Sequence, residues 1–513
     1  MAPCLNGAGA FYKWRTAIPK VAIVTPPSPP FADIDRQAAG GMGLWKPRNR
    51  RTVGHSEFAQ YDLPLLSTAG VLLDQGHDVC FVDGQAERLD AESLACRVSA
   101  TSPDFIVGMV QLVSLISDLS LLANTKHRCP GAQLIVVGSV VKVMTERILA
   151  NPAVDYVVIG EPELPTSELI AALAGGQGVE PVTGIAWRND GQIVRSTPRL
   201  HTDLASLPAM PYHLLSPYRY IDEFYFRGDK FGLVVSSRGC PYKCAYYCPY
   251  PLAYGKKILF RRPEVFVKEI EFLNREFGVR SFQFRDQVFT ISEAHARKIC
   301  QLIADANLDI RWLCETRFDL LRSDELLEDM RRAGCVQIHF GLETGDPALF
   351  EAIGKPGTTL EVAEDTVRRV RSKGMHVHVH AIVGLPGETW STVRGTFEFI
   401  RRLNITKFSL NRCIPYPGTA MHDEAQRKGR IQTHDFSRYG SQFVMRTAEM
   451  STRELELAIR YLGLNLDRDL NKGARPGRRA RLTRLVLNPL VEKVLWRRGG
   501  AQTGRVALAS GKH

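Results

Sequence analysis

The chain has 513 residues, 44% of them apolar and 23% charged, ordinary values for a globular protein with room for two or three domains. Eleven cysteines are too dilute for a disulfide scaffold; only Cys240, Cys244 and Cys248 cluster, a pattern that suits a reducing compartment and one metal site. Of the net charge of +12, the segment Lys472–Arg498 contributes +8 (nine basic residues against Glu492), which leaves +4 elsewhere and argues against nucleic acid as a partner.

Met1–Lys20 carries no long apolar core, so no secretory signal is expected. No run of about eighteen uninterrupted apolar residues predicts a transmembrane helix. The expected location is cytoplasmic. Residues 18–25 predict a strand ending at Pro26-Pro27, followed by a loop with Gly40, Gly41, Gly43 and a basic patch, Lys46–Arg51. Leu63–Leu73 predicts a helix with Pro64 in its first turn, stopped near Gly76. Strands follow at 77–83, 104–109, 132–138 and 155–160, with helical stretches at 112–128 and 141–150. Short buried strands alternating with helices predict a parallel, doubly wound, Rossmann-like α/β domain over 18–200. Ligands of such sheets lie at the carboxyl ends of the strands, which singles out Thr25, Val110, Gln111, Gly138, Ser139, Gly160 and Glu161. Small residues there admit a flat or phosphate-bearing ligand, or simply make tight turns.

Residues 180–230 read as a hairpin and then a linker, with the linker proper at 201–230. Alternation of strand and helix resumes at 231 and runs to 425. Strands are predicted at 232–237, 280–286, 309–315, 336–342, 376–383 and 406–412, and helices at 263–276, 292–306, 323–333, 358–373 and 389–402. Six such units make a partial TIM-like (β/α)6 barrel, whose chemistry sits on loops at the carboxyl strand ends. Those ends carry Arg285-Asp286-Gln287, Glu315-Thr316-Arg317, Gly341–Gly345, Gly384–Glu388 and Asn411–Thr419. Charged groups recurring at five strand ends favour a polar site over a solvated rim.

The first barrel strand runs into Gly239-Cys240-Pro241-Tyr242-Lys243-Cys244-Ala245-Tyr246-Tyr247-Cys248-Pro249. Three thiolates with no fourth Cys or His close by can hold iron or zinc and leave one metal position for a non-protein ligand. A structural zinc site and unligated buried cysteines are the alternatives. Residues 426–513 predict a largely helical region, with Met421–Leu470 helical apart from a substrate-side loop at Tyr439–Phe443. Arg481–Arg498 has apolar residues at near-helical spacing among arginines, a pattern that fits peripheral contact with an anionic membrane or a solvated helix packed on the barrel.

The cysteine loop resembles the cluster loop of radical S-adenosylmethionine enzymes, although one more residue separates Cys244 from Cys248 than is usual there. Residues 18–170, with Leu63-Pro64-Leu65, Gly76-His77, Gly138-Ser139 and Gly160–Glu163, resemble the cobalamin-binding domain that precedes many of them. The Asp-x-His-x-x-Gly that supplies a lower cobalt ligand is missing from this region, and Val110 stands where a Ser is frequent. Gly341–Gly345 and Ile382–Thr389 look like the ribose and adenine motifs, so that the resemblance covers 232–418 almost throughout.

The resemblance implies a four-iron, four-sulfur (4Fe-4S) cluster on Cys240, Cys244 and Cys248, with S-adenosylmethionine (SAM) on its fourth iron. It implies SAM contacts at Tyr247, Asp286, Glu315, Arg317, Glu343, Thr344 and Gly384. It implies cobalamin at Leu66 and at the strand-end residues named above. An Arg such as Arg317 can clamp the SAM carboxylate, and a Glu such as Glu343 can accept from the ribose hydroxyls or the ammonium. The implied activity is methylation of an unactivated carbon of a small-molecule or lipid substrate, by way of a 5′-deoxyadenosyl radical and methylcobalamin, with a flavodoxin or ferredoxin-type electron donor. The rivals are a cobalamin-linked cyclase or ring-rearranging enzyme and a non-catalytic cobalamin or redox sensor. A methylthiotransferase fits less well, because its extra cysteine trio and RNA-binding appendage are not evident.

Overall fold

Two parallel sheets, one behind the other in the chain, are tied together by buried polar contacts. The structure is a computed structural model that describes residues 18–29, 32–47, 58–199, 201–215, 220–222, 226, 230–353, 355, 357–405, 407–470, 489 and 491. Arg48–Arg51 of the basic patch and all but two residues of the Arg481–Arg498 segment lie outside the described residues.

The first sheet has seven strands in the order Gln192–Arg195, Ile185–Asn189, Tyr156–Val158, Gln133–Val137, Phe105–Met109, Lys20–Thr25, Asp78–Asp83. Its five-strand body is parallel, and the predicted 180–200 hairpin adds two antiparallel strands to one edge. From Lys20–Thr25 the chain first builds one neighbour and then the other, so the strand order reverses between Thr25 and Gln111. That reversal opens a crevice at the carboxyl ends, where ligands of open α/β sheets sit. The strands are apolar on both faces because helices cover both. Leu63–Asp74 starts where Asp62 accepts from the Leu65 amide and Pro64 occupies the first turn.

The second sheet orders its six parallel strands as they occur: Phe231–Val234, Ser281–Phe284, Arg311–Thr316, Cys335–Glu343, His376–Val383 and Lys407–Arg412. The helices Pro263–Phe277, Glu293–Asp305, Asp324–Arg332, Leu360–Ser372 and Trp390–Leu403 connect them, four carrying a Ser or Thr cap on the first turn. This is the predicted partial barrel. Its first strand would be a bare edge on the open side, but the Tyr61 hydroxyl donates to the Leu233 carbonyl at 2.6 Å and accepts from the Leu233 amide. A residue of the N-terminal half thus closes the edge of the barrel, and one apolar core runs through both sheets.

The structure corrects two expectations. The loop with Gly40, Gly41 and Gly43 is an ordered hairpin: Ala32–Asp35 pairs antiparallel with Leu44–Pro47 around a turn in which Ala39, Gly40, Gly41 and Gly43 all have positive φ. Met421–Leu470 is α-helical only at Ala420–Arg427 and Thr452–Leu470, with a single 3-10 turn at Phe436–Arg438 between them. Gly429 and Gly440, at φ +59° and +83°, break the helix between them. Tyr439 and Phe443 are buried there, and the Trp45 indole donates to the Ser437 carbonyl at 3.0 Å. Among the described residues no helix is long and apolar enough to cross a membrane.

Candidate active site

Gly239, at φ +94°, turns the chain from the short strand Ser237–Arg238 into the cysteine loop; a Cβ there would lie 1.9 Å from the Lys257 carbonyl oxygen. A 3-10 turn over Lys243–Tyr246 continues through the Cys248 amide, which donates to the Cys244 carbonyl at 2.9 Å. The extra residue is therefore wound into a helical turn. Cys244 and Cys248 stand four apart on one face of it, where side chains meet. Cys240 is held by its amide to the Gly255 carbonyl.

Among the described residues no three His, Cys, Asp or Glu side chains already stand apart in a metal-holding arrangement; the three sulfurs close on one another. The Cys244 thiol is pulled down to about 3 by hydrogen bonds from Cys240 and Cys248, with Lys355 and Arg317 adding to the effect. The same bonds, with burial, push Cys240 and Cys248 up. One shared thiolate flanked by two cations is an electropositive thiol cluster.

Of the residues predicted to contact SAM, Tyr247 and Glu343 are brought together: the buried tyrosine hydroxyl hydrogen-bonds Glu343. Glu343 ends the fourth barrel strand at φ +65°, an uncommon conformation for a side chain-bearing residue. Its carboxylate is 2.6 Å from Lys355 Nζ. Arg317 lies 3.8 Å over the Tyr242 ring of the cysteine loop and pairs with Asp319 at 2.9 Å, while Glu315 pairs with Arg285 at 3.4 Å. Asp286 is fully buried beneath the loop and accepts from the Ser236 amide (3.0 Å) and the Ser236 and Ser237 hydroxyls (2.7 and 2.5 Å). It anchors the root of the cysteine loop. Thr344 bonds Thr396 at 3.0 Å, against the helix Trp390–Leu403. Gly384, at φ +93°, donates to Glu388 at 3.1 Å and lies against Phe443.

At the crevice of the first sheet, Thr25, Val110, Gln111, Gly138 and Ser139 lie on adjoining strand ends. Gly138 has φ +136°, and a Cβ there would be 2.3 Å from the Val110 carbonyl oxygen. The Thr25 hydroxyl and the Gln111 amide nitrogen are buried with no hydrogen-bond partner among the described residues. A Cβ on Gly160 would meet nothing within 4 Å. Leu66 is set apart, buried in the core on its helix. The Gly40–Gly43 turn covers this crevice. Gly41 packs on Ser139, Gly43 on Gln111, and Gly40 on the backbone of Tyr250, just beyond Cys248. Beneath it the buried Arg36 guanidinium donates to Gln111 and to the Pro26 carbonyl and lies 3.4 Å from Asp118.

The second join is an ion pair. Arg238, two residues before Cys240, holds Glu163 at 2.7 Å with both side chains at 4% exposure or less. Glu161 accepts from the Thr202 amide at 2.7 Å. Burial pushes the Glu161 carboxyl up, and Arg238 offsets part of that. Burial opposes the Arg238 charge, but Glu163 and Glu161 more than compensate and raise its proton affinity. The crevice and the cysteine loop are thus held in fixed relation.

Comparison with known proteins matches residues 234–400 to the radical SAM superfamily and residues 50–170 to the B12 binding domain. The chain belongs to the B12-binding radical SAM enzymes. The uncharacterized methyltransferase PH0819 of Pyrococcus horikoshii is 29% identical over 371 residues, 72% of this chain and 79% of that protein. The anaerobic magnesium-protoporphyrin IX monomethyl ester cyclase of Synechocystis is 30% identical over 346 residues, 66% of this chain and 65% of that protein. The radical SAM methyltransferase TsrM of Kitasatospora setae, solved with cobalamin and a [4Fe-4S] cluster, shares the fold with TM-score 0.61 at 22% identity, over 80% of this chain and 75% of that one.

The residues of this radical SAM enzyme fit the family's cofactors. Three thiols beside Arg317 and Lys355 form a donor set for a cationic cluster, and the unpartnered Thr25 hydroxyl and Gln111 amide nitrogen, with the open space at Gly160, mark a crevice that suits an amide-rich corrin. Sequence reasoning missed Arg36 and Arg238, because their roles depend on partners far along the chain, and Lys355, which reaches back to Glu343 at the end of the preceding strand. It also passed over three histidines, His339, His378 and His380, stacked inside the barrel. The alternation in His376-Val377-His378-Val379-His380 was the signal that could have found them.

Proposed function

We propose that the protein is a cobalamin-dependent radical SAM C-methyltransferase acting on a small molecule. The observation that carries this reading is the pair of joins, Arg238–Glu163 and Gly40–Tyr250, which hold the cysteine loop against the crevice of the B12-binding sheet. When bound, the cluster and SAM supply hydrogen abstraction, and cobalamin supplies the methyl group that replaces the hydrogen. In this reading Cys240, Cys244 and Cys248 hold the cluster, and Tyr247, Glu343 and Lys355 orient SAM. Thr25, Gln111, Gly138, Ser139 and Gly160 receive cobalamin. Arg317 and Asp286 fix the cysteine loop from either side, and Glu315 lies on the barrel face below. Reduction comes from a flavodoxin or ferredoxin-type donor, and the basic tail gives the chain a route to an anionic membrane surface.

The cyclase relative supports a second reading, rearrangement without net methyl transfer. The test is to incubate the reconstituted, reduced protein with SAM and assay both nucleoside products. Methyl transfer requires 5′-deoxyadenosine and S-adenosylhomocysteine together. 5′-Deoxyadenosine alone selects rearrangement, and neither product would leave a binding protein.

A further inference from the structure

Along the fourth and fifth barrel strands, Ile338, Phe340 and Leu342 and then Val377, Val379 and Ala381 join the apolar core beneath the outer helices. The alternate residues therefore face the barrel interior. On that inner face Glu315, His339, His378 and Lys407 stand in one cross-strand row, and His380 lies in the next row towards the cysteine loop. Ring centroids are 4.6 Å apart for His339–His378 and His378–His380, and 5.4 Å for His339–His380. His339 bonds Gln337 at 2.6 Å through Nε2 and His380 at 3.4 Å through Nδ1; His378 bonds Ser409 at 2.9 Å. Arg285 reaches Glu315 from the second strand. Ile382, one step above His380 on the same face, joins the apolar cluster that also takes in Tyr247 and Cys248. Two residues along a strand span about 7 Å, so this polar floor lies directly below the candidate cofactor layer.

An apolar substrate pressed onto this face would strand several hydrogen-bonding groups, at about 1–3 kcal/mol each. The fixed charges favour an anion: Arg285 and Lys407 outweigh Glu315 by one. Among the described residues no hydrogen bond or ion pair engages the half-buried Lys407 ammonium. Burial and the neighbouring histidines hold His339 well below its ordinary value, so its ring stays uncharged near neutrality and keeps one N–H donor.

We propose that the inner face formed by Arg285, His378, His380 and Lys407 binds an oxyanion of the substrate, a carboxylate or phosphoryl group, and so selects a polar, anionic molecule over a lipid. Calling that ligand the substrate rests on the methyltransferase reading; the anion site itself does not. The test is anaerobic titration calorimetry of the holoprotein, loaded with cluster and cobalamin, against inorganic phosphate and separately against acetate. One of the two saturates at one per chain. Lys407→Met and His380→Gln each weaken it at least tenfold, while Lys268→Met, on the exposed face of Pro263–Phe277, does not. Phosphate alone identifies a phosphoryl site and acetate alone a carboxylate site. Binding of neither, or equal binding by variants that keep their iron and circular dichroism, overturns the proposal. SAM-derived products without anion binding refute this site alone; anion binding without those products refutes the methyltransferase reading alone.

Discussion

The Arg238–Glu163 pair gives the most direct test of how the two halves are joined. Its Nη2–Oε1 distance is 2.7 Å and both side chains are buried. Arg238→Met leaves Glu163 buried without a counter-charge beside Glu161, which costs about 3–5 kcal/mol. That is about a fifth or more of the stability of an ordinary domain. Replacing both partners by apolar groups, Arg238→Met with Glu163→Leu, removes the stranded charge and should recover all but about 1–2 kcal/mol. The assay is urea unfolding of the apoprotein followed by circular dichroism, for wild type, both single variants and the double. Comparing midpoints at constant slope gives the coupling energy, expected on the order of 2–4 kcal/mol. A single-variant cost below about 1 kcal/mol, or a double variant equal to the sum of the singles, would refute a buried pair as the join. In the same series the double variant should keep its iron but retain cobalamin less well, since apolar side chains fix no angle between loop and crevice.

Further outcomes bear on the cofactor contacts and the core. Cys248→Ala should abolish the brown cluster absorbance after reconstitution, whereas Cys413→Ser, beside Met421 in the core, should keep it; full iron in Cys248→Ala means another ligand. Gly138→Ala meets both the positive φ and the Val110 carbonyl, so it should lose about 1–3 kcal/mol and release cobalamin on gel filtration. Tyr61→Phe strands the Leu233 amide at the barrel edge and leaves its carbonyl only the 3.5 Å bond from the Tyr212 hydroxyl, and a cost of about 1–3 kcal/mol should appear as a lower urea midpoint. Burial raises the Glu388 carboxyl to about 7. The folded state then holds a proton that the unfolded chain has released, so this group's contribution is full below about pH 4.5 and is lost as pH rises towards 7. Glu388→Gln should flatten that share of the stability–pH curve, and an unchanged slope would show that Glu388 is ionised in the fold.

Much of the architecture was legible because each barrel strand carries a local signal. His376–Val383 alternates inward polar with outward apolar residues, and the helices begin at Ser292, Ser323, Thr359 and Thr389, whose caps follow from side-chain chemistry alone. The cysteine spacing was legible as chemistry but not as geometry. Whether the extra residue bulges or winds depends on the Cys248 amide finding the Cys244 carbonyl, a backbone choice that the loop composition does not dictate. The Arg36 hairpin was hidden for a similar reason. Four residues with positive φ make sense only once the strand ends they cover, and Tyr250 beyond them, are in place. Arg238 looked like any arginine near a basic stretch, because its partner lies 75 positions earlier.

The placement of these unforeseen residues follows a rule. A chain that must present two cofactors to one substrate cannot leave their relative position to a linker, since an error of about 1 Å in such a site is costly. The joins therefore arise at the roots of the cofactor-bearing elements. Arg238 precedes Gly239-Cys240 and holds Glu163, two residues past Glu161 at a strand end. Tyr61 starts the helix side of the first sheet and closes the barrel edge at Leu233, three residues before the Ser236 that Asp286 anchors. Both contacts are buried, and the Tyr61 hydrogen bonds to Leu233 are directional, so they fix an angle as well as a distance. An apolar interface of the same size would let the sheets slide against each other; buried polar pairs make every displaced arrangement pay for an unpaired group. Hence the double apolar variant at 238 and 163, though nearly as stable as wild type, should yield less S-adenosylhomocysteine per 5′-deoxyadenosine. An unchanged ratio would place the control of alignment elsewhere in the fold.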